Sequence, residues 1–397
     1  MSGVAHPGGG DAATDDVIAA TCDELERVYD DGSYPVLEVC RPWSTYNPVI
    51  GGELARPAAL RSYLRRELAD LVTQGATLAV RPSRPRLSLD DPMLLRGADE
   101  SSRDLKQKKL FLFSAERMEL SFERLAHYTG TDPSLFQRHV LLTNYGMHVD
   151  AFLERFPDAV AARAGAQMPA FHATAVDGSG VSLVNIGVGP SNAKTLTDHV
   201  AVLRPDLLLM IGHCGGLRNH QDIGDFVLAR TFLRADRVLD DALARHVPVI
   251  SNHHVNQALY AALDRRGLPY RFGAVYTTAD RNWELHLDTA MADIEASRAV
   301  AVDMESATVA ANGFRYRIPN ATLLCVSDKP LHGRPKLASE AAVFYEQSKR
   351  THVDIALEAV DTLRRLFPRG IPNEDIRSVD EPLIGGPSDS ASDRPPG

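Results

Sequence analysis

Beyond about residue 135 the chain alternates short apolar, strand-like runs with helical stretches, and this alternation constrains the fold more than any other feature of the sequence. Strand-like runs fall at 170–176, 182–186, 207–211, 225–229, 271–277, 299–302 and 322–326, and helical periodicity at 193–203, 256–266, 306–313 and 339–366. Strands apolar on both faces and separated by helices predict a mixed or mainly parallel sheet covered on both sides. Such sheets bind ligands beyond the carboxyl ends of their strands. The residues that follow each strand are therefore the ones to read for chemistry.

The preceding region has a different texture. Apolar spacing predicts helices over 15–28, 56–72 and 121–128, with strands at 34–40, 77–80 and 110–113 between Pro- and Gly-containing segments, an α+β pattern. The turn Gly130-Thr131-Asp132-Pro133 sets the domain boundary near residue 135. The expected organisation is a tail at 1–14, an α+β domain at 15–135, an α/β domain at 136–370 and a second tail at 371–397. Both tails are rich in Gly, Ser, Pro and Asp, a composition that cannot offset ordering entropy, and are expected to be flexible. A total of 397 residues suits two domains, each with its own core.

A formal net charge of -9 excludes a broad nucleic-acid surface but not a small anion pocket. Cys22, Cys40, Cys214 and Cys325 form no CxxC pair, which suits a reducing compartment. No apolar run is long enough to cross a bilayer and no export signal is visible, so no membrane partner and a cytoplasmic location are expected.

Four strand ends carry chemistry-bearing residues. After 207–211 comes Gly212-His213-Cys214-Gly215-Gly216, where missing Cβ atoms allow a ligand to meet the backbone, although a structural turn would read the same. After 182–186 comes Gly187-Val188-Gly189-Pro190-Ser191-Asn192, opening a helix whose N-terminal amides suit an anion without completing a dinucleotide fingerprint. After 299–302 comes Asp303-Met304-Glu305-Ser306, whose carboxylates serve either a pocket or the helix start. After 322–326 comes Ser327-Asp328-Lys329-Pro330, again a carboxylate at a strand end, which taken alone reads more readily as an Asx-type turn than as a site. Separated by one strand–helix–strand unit, Glu305 and Asp328 are expected on neighbouring strand ends, where two carboxylates facing one pocket suit acid–base work at a glycosidic or similar centre. Removing a purine from ribose needs a proton on the leaving base and support for an oxocarbenium-like sugar; Asp328 suits the first demand and Glu305 the second.

No HExxH is present, and His213, His220, His253 and His254 offer no ligand spacing, so no metal is expected. A GxSxG elbow is absent too, and Cys214 reads as a small buried filler rather than a nucleophile.

The runs GHCGGL at 212–217, VDMES at 302–306 and SDKP at 327–330 resemble those of the nucleoside phosphorylase/nucleosidase superfamily. Within it, LLTNYGMHVD at 141–150, TTADRNWEL at 277–285 and VSDKPLHG at 326–333 are similar to bacterial AMP nucleosidases, and RPRLSLDD at 84–91 resembles their additional N-terminal domain. The resemblance implies a three-layer, nucleoside-phosphorylase-like α/β domain with a mixed central sheet behind a smaller α+β domain, and hydrolysis of AMP to adenine and ribose 5-phosphate. It implies that Asp328 acts at purine N7, Glu305 holds the ribose hydroxyls, Met304 packs under the sugar, and Asn282 and Trp283 lie against the base; a core aromatic is the alternative for Trp283. Gly212, Cys214, Gly215 and Gly216 would line the pocket. For the 5′-phosphate, Arg281, Lys194, Lys329, Arg41, Arg84 and Arg86 are the candidate cations, with Thr143, Asn144 and Tyr145 as neutral donors. No cofactor is implied for the chemistry. ATP with Mg as an activator, inorganic phosphate as a second regulator and a homo-oligomer, a hexamer by resemblance, are implied for control. The group that activates water stays open between Glu305 and another carboxylate. So do two rival functions, a purine nucleoside phosphorylase on the same fold and a non-catalytic AMP sensor.

Overall fold

The computed structural model describes residues 10–44, 47–98, 110, 112–332 and 338–373. The chain divides into two compact units, one built mainly from Met1–Arg124 and the other spanning Leu125–Glu374. In the first, α1 (Gly10–Asp30) packs on α2 (Pro57–Thr73) and on a three-stranded antiparallel sheet of β1 (Ser33–Cys40), β2 (Val49–Glu53) and β3 (Thr77–Pro85), in the order β2-β1-β3. The stripe that made the helices legible is the one they bury: Ile18 and Leu25 on α1, Leu60, Leu64 and Leu68 on α2. A short α3 (Pro92–Gly97) is capped by Asp91, whose carboxylate accepts the Met93 N–H at 2.8 Å. Glu119 of α4 (Ala115–Thr129) accepts the Tyr29 hydroxyl at 2.6 Å and the Arg56 Nε–H at 3.0 Å.

Several expectations shift here. The division between units falls inside α4, ahead of the boundary expected near residue 135. Helix α1 begins at Gly10, within the stretch expected as a tail, while 1–9 and 374–397 lie outside the described residues. Leu110, Leu112 and Phe113 are in no strand. The strand β2 went unrecognised because Gly51 and Gly52 interrupt its apolar pattern; at Gly51 a Cβ would lie 2.4 Å from the Leu37 carbonyl, so only glycine allows that close pairing.

The second unit runs β4 (His139–Thr143), α5 (Gly146–Arg155), β5 (Val160–Ala161), β6 (Ala170–Ala173), β7 (Val181–Asn185), α6 (Pro190–Val200), β8 (Leu207–Gly216), β9 (Phe226–Arg234), α7 (His253–Arg265), β10 (Tyr270–Thr277), α8 (Leu287–Ser297), β11 (Ala301–Asp303), α9 (Ser306–Tyr316), β12 (Asn320–Asp328) and α10 (Ala338–Leu366). Its sheet has the order β11-β10-β9-β12-β8-β4-β7-β6-β5 and is mixed, with β12 parallel to β8 but antiparallel to β9. Strand β11 also pairs antiparallel with the end of β8, through Ala301↔Gly216 and Val302↔Gly215, and so closes β11, β10, β9, β12 and β8 into a ring. One face carries Leu141, Leu183, Leu209, Leu228 and Leu323 against α5, α7 and α10. The other carries Val227, Val275, Leu324 and Val326 against α9, beside which α6 packs. This is the three-layer α/β arrangement with a mixed sheet expected from the alternation.

The segment 212–216 is not a loop. It is the second half of β8, buried throughout. Its glycines answer to packing: a Cβ on Gly215 would come within 2.9 Å of Val302 Cγ1, and one on Gly216 within 2.9 Å of Val326 Cγ1. Both residues keep the strands close where the ring shuts.

Candidate active site

Asp328 is the last residue of β12, where the pairing with β8 slips: Val326 faces Cys214 and Asp328 faces Gly215, leaving Ser327 as an extra residue. Neighbouring side chains on a regular strand point to opposite faces, whereas a bulge re-aims one of them. Accordingly the Ser327 hydroxyl lies 2.6 Å from Asp328 Oδ1 and 3.3 Å from the Cys214 carbonyl. Asp328 is nine-tenths buried. The Lys329 ammonium donates to the Asn219 carbonyl at 2.8 Å.

Glu305 is the residue ahead of α9 and is 2% exposed. Its Oε1 accepts the Gly189 N–H at 2.6 Å and its Oε2 accepts from Asn144 Nδ2 at 3.1 Å, so both oxygens are fixed by groups from two other strand ends. Gly189 holds φ 111 and ψ 154, a region essentially reserved for glycine, which turns its N–H toward the carboxylate. Behind Glu305, Asp303 acts as a post: Oδ1 accepts the Thr277 hydroxyl at 2.6 Å, and Oδ2 accepts the Ser306 N–H at 2.8 Å and the Glu305 N–H at 3.3 Å. Burial first, then the charge of Asp303, pushes the Glu305 carboxyl up to about 8, against the pull of the Gly189 and Asn144 donors. Burial also raises Asp303. Burial therefore favours the protonated form of this acid pair.

The two acids are not on adjacent strands, as the sequence suggested, because β9 and β10 stand between β12 and β11 in the sheet order. The strand ends that lead to them approach through β8 instead: Gly215 pairs with Asp328 on one side and with Val302, three residues before Glu305, on the other. Met304, half-buried, lies between the two carboxylates Asp303 and Glu305 in the chain.

Other expected residues are distributed unevenly. Of the Thr143, Asn144, Tyr145 trio only Asn144 reaches Glu305; Thr143 is buried with its hydroxyl 2.7 Å from His148 Nδ1, and Tyr145 lies edge-on to His213 with centroids 4.6 Å apart. Gly212 sits against Asn144, whose Oδ1 is 3.5 Å from where a Cβ would be. Cys214 is buried and enters through its carbonyl. Lys194 forms an ion pair with Asp198 at 2.6 Å, a partner also bound by Asn312 and Tyr316. Arg281 and Asn282 are exposed, while Trp283 packs with Leu217, Tyr276 and Val302 in an apolar cluster, the core role that was its alternative. In the first unit Arg84 pairs with Glu53 and Glu116, Arg86 stacks over Tyr29 and Arg41 is buried against the Asn47 carbonyl. His220, His253 and His254 do not join His213; His148 and His352 do. Sequence reasoning missed the roles of Ser327 and Asp303 and the pairing of Gly189 with Glu305, although the glycines of Gly187-Val188-Gly189 were a visible signal.

The folded domain and its acid pair define a class, and the description "Phosphorylase superfamily" fits it: that family's model matches residues 138–361, more than half of the chain. The AMP nucleosidase of Escherichia coli strain K12 is 41% identical over 396 residues, covering 83% of this chain and 82% of that protein. A crystal structure of AMP nucleosidase from Bacteroides thetaiotaomicron superposes with a TM-score of 0.53 at 29% identity, covering 63% of this chain and 99% of that one. Uridine phosphorylase from Vibrio fischeri shares the fold at 13% identity, with a TM-score of 0.50 over 57% of this chain and 92% of that one. The chain belongs to the AMP nucleosidase family of the phosphorylase superfamily.

Proposed function

We propose that this enzyme hydrolyses the N-glycosidic bond of AMP to adenine and ribose 5-phosphate, with Asp328 as general acid at purine N7 and Glu305 as the anchor for the ribose hydroxyls. The observation that carries the assignment is that the strand end bearing Asp328 and the one leading to Glu305 both pair with Gly215 of β8, each acid already oriented by its own donors. Leaving-group departure puts negative charge on the base, and a proton delivered from Asp328 neutralises it as the bond lengthens. The Ser327 hydroxyl has one hydrogen and two acceptors in reach, Asp328 Oδ1 and the Cys214 carbonyl. It can donate to Asp328 once the carboxylate has given up its proton and to Cys214 while Asp328 is protonated, so the bulge stabilises the product state of proton transfer. Glu305 as a carboxylate accepts from ribose hydroxyls and places negative charge near the oxocarbenium-like ring, an interaction that strengthens as positive charge develops. Positive charge developing on the sugar favours the carboxylate form, and the Glu305 proton leaves to solvent as that charge forms.

No cofactor enters this chemistry, and water replaces the phosphate of a phosphorolytic relative. The 5′-phosphate cation falls to Arg281, exposed within the 277–285 run, ahead of Lys194, which Asp198 already holds. ATP with Mg and inorganic phosphate are proposed regulators, and a homo-oligomer, hexameric by resemblance, the assembly. A cytoplasmic location belongs to the same reading; among the described residues no helix is long and apolar enough to cross a membrane. The test is product analysis in phosphate-free buffer. Adenine and ribose 5-phosphate from AMP, with adenosine inert, supports the reading; turnover of adenosine only with added phosphate would replace it by a phosphorylase, and AMP binding without products by a sensor.

A further inference from the structure

Three buried histidines converge where no role has been assigned: His148 on α5, His213 on β8 and His352 on α10, each offering a ring nitrogen such that all three atoms lie within 4.8 Å of one another. We propose that they form a binding site for a divalent transition-metal ion of the zinc type. Ring centroids are 5.4 Å apart for His148 and His213, 4.8 Å for His148 and His352, and 5.7 Å for His213 and His352. Imidazoles bound tetrahedrally at a metal–nitrogen distance of about 2.0–2.1 Å have centroids about 5 Å apart, so the rings already stand at coordination spacing. Rotations that move each ligand nitrogen by roughly one ångström complete the contact, since tetrahedral ligand nitrogens lie about 3.3 Å apart.

The surrounding hydrogen bonds fix the free lone pair on His352 and are compatible with a free one on His148. His352 Nε2 lies 2.9 Å from the Leu323 carbonyl, which can only accept, so the proton is on Nε2 and the lone pair is on Nδ1. His148 Nδ1 lies 2.7 Å from Thr143 Oγ1, a hydroxyl that also accepts the Tyr145 N–H at 3.2 Å; a proton on Nδ1 leaves the lone pair on Nε2. A ligating histidine that gives its other N–H to a carbonyl or hydroxyl is the usual arrangement around bound zinc. The two nitrogens left over, His148 Nε2 and His352 Nδ1, are buried and have no hydrogen-bond partner among the described residues. Burial also keeps these rings in the neutral form that binds metal, lowering His352 to about 4 and His148 well below its ordinary value. An all-imidazole set with no carboxylate selects zinc, cobalt, nickel or copper over magnesium or calcium, so this site is distinct in kind from any that would hold Mg with ATP. An ion there would tie α5, β8 and α10 together. It would also brace the β4–α5 junction, where Tyr145 leans on His213 and the preceding residue, Asn144, holds Glu305.

The test uses full-length protein, freed of metal by chelation and titrated with Co²⁺ while visible absorption and the thermal midpoint are recorded. One tetrahedral-type Co²⁺ per chain, displaced by Zn²⁺, with a raised midpoint, is expected; His148→Gln and His352→Gln should lose both signals, and His253→Gln at the start of α7 should keep them. Absence of binding, an octahedral Co²⁺ spectrum, or binding that survives His352→Gln would overturn the site. Should the variants not fold, X-ray absorption of the zinc-loaded wild type decides: three imidazoles at the metal support the assignment, and a shell without them refutes it.

Discussion

One hydroxyl hydrogen at Ser327 has two acceptors, and in the proposed mechanism that competition tunes the acid. Ser327→Ala removes the donor that steadies the Asp328 carboxylate after proton transfer, and a lost hydrogen bond to a charged group corresponds to a roughly tenfold or greater drop in kcat, with AMP affinity held. Asp328→Asn removes the proton itself and should lower kcat by about 10²–10⁴ while calorimetry still registers AMP binding. Near-wild-type turnover in Asp328→Asn would move the acid elsewhere. Glu305 gives a pH prediction whose sign is fixed. Its carboxyl is raised from 4.5 to about 8 in the folded chain, so across that window the folded state keeps a proton that the unfolded state releases. Its contribution to stability is whole below about 4.5 and is lost as pH rises through about 8. Glu305→Gln has no such titration, so thermal midpoints should show the variant gaining on the wild type as pH increases; a gap independent of pH would contradict the raised carboxyl.

At the scale of elements, the site depends on a strand end that bulges and two that close a ring. Gly215→Ala puts a Cβ 2.9 Å from Val302 Cγ1, and overpacking of this kind costs about 1–3 kcal/mol. The variant should unfold earlier on heating and lose activity in parallel, because Gly215 pairs with both Asp328 and Val302. Gly189→Ala, at φ 111, should raise KM more than it lowers stability, since it turns away the N–H that fixes Glu305. The alternation of strands and helices after residue 135 was readable because burial on both faces leaves continuous apolar runs. What escaped reading has physical causes. Segment 212–216 looked like a loop because glycine is a turn signal in sequence, while here it is what lets β8 pass between Val302 and Val326. Glu305 and Asp328 were legible as a pair but not their route of contact, since pairing of β11 with β8 is a closure across the sheet that no local pattern encodes. Asn144 was singled out as a phosphate donor, and its hydrogen bond to Glu305 is a long-range contact, 161 residues apart in sequence, that no local pattern encodes.

On the scale of the whole molecule, an α/β unit carries the acid pair and a smaller α+β unit precedes it in the chain. The smaller unit has its own core of Leu25, Leu37, Leu60 and Leu64, and a cavity of about 620 Å³ lined by Glu53, Arg84 and Glu116 among others. If regulation by ATP resides in this chain, adding ATP with Mg should change the AMP dependence of the rate without changing the products; identical saturation curves would exclude such control. The central claim is that water, not phosphate, takes the ribose while Asp328 protonates the base. Turnover of AMP in ¹⁸O-labelled water, with mass spectrometry of the sugar product, tests it most directly. The account predicts one ¹⁸O in ribose 5-phosphate released with adenine, and no product from Asp328→Asn at the same enzyme concentration on the same timescale. An unlabelled sugar carrying a second phosphate, or full activity in the variant, would contradict it.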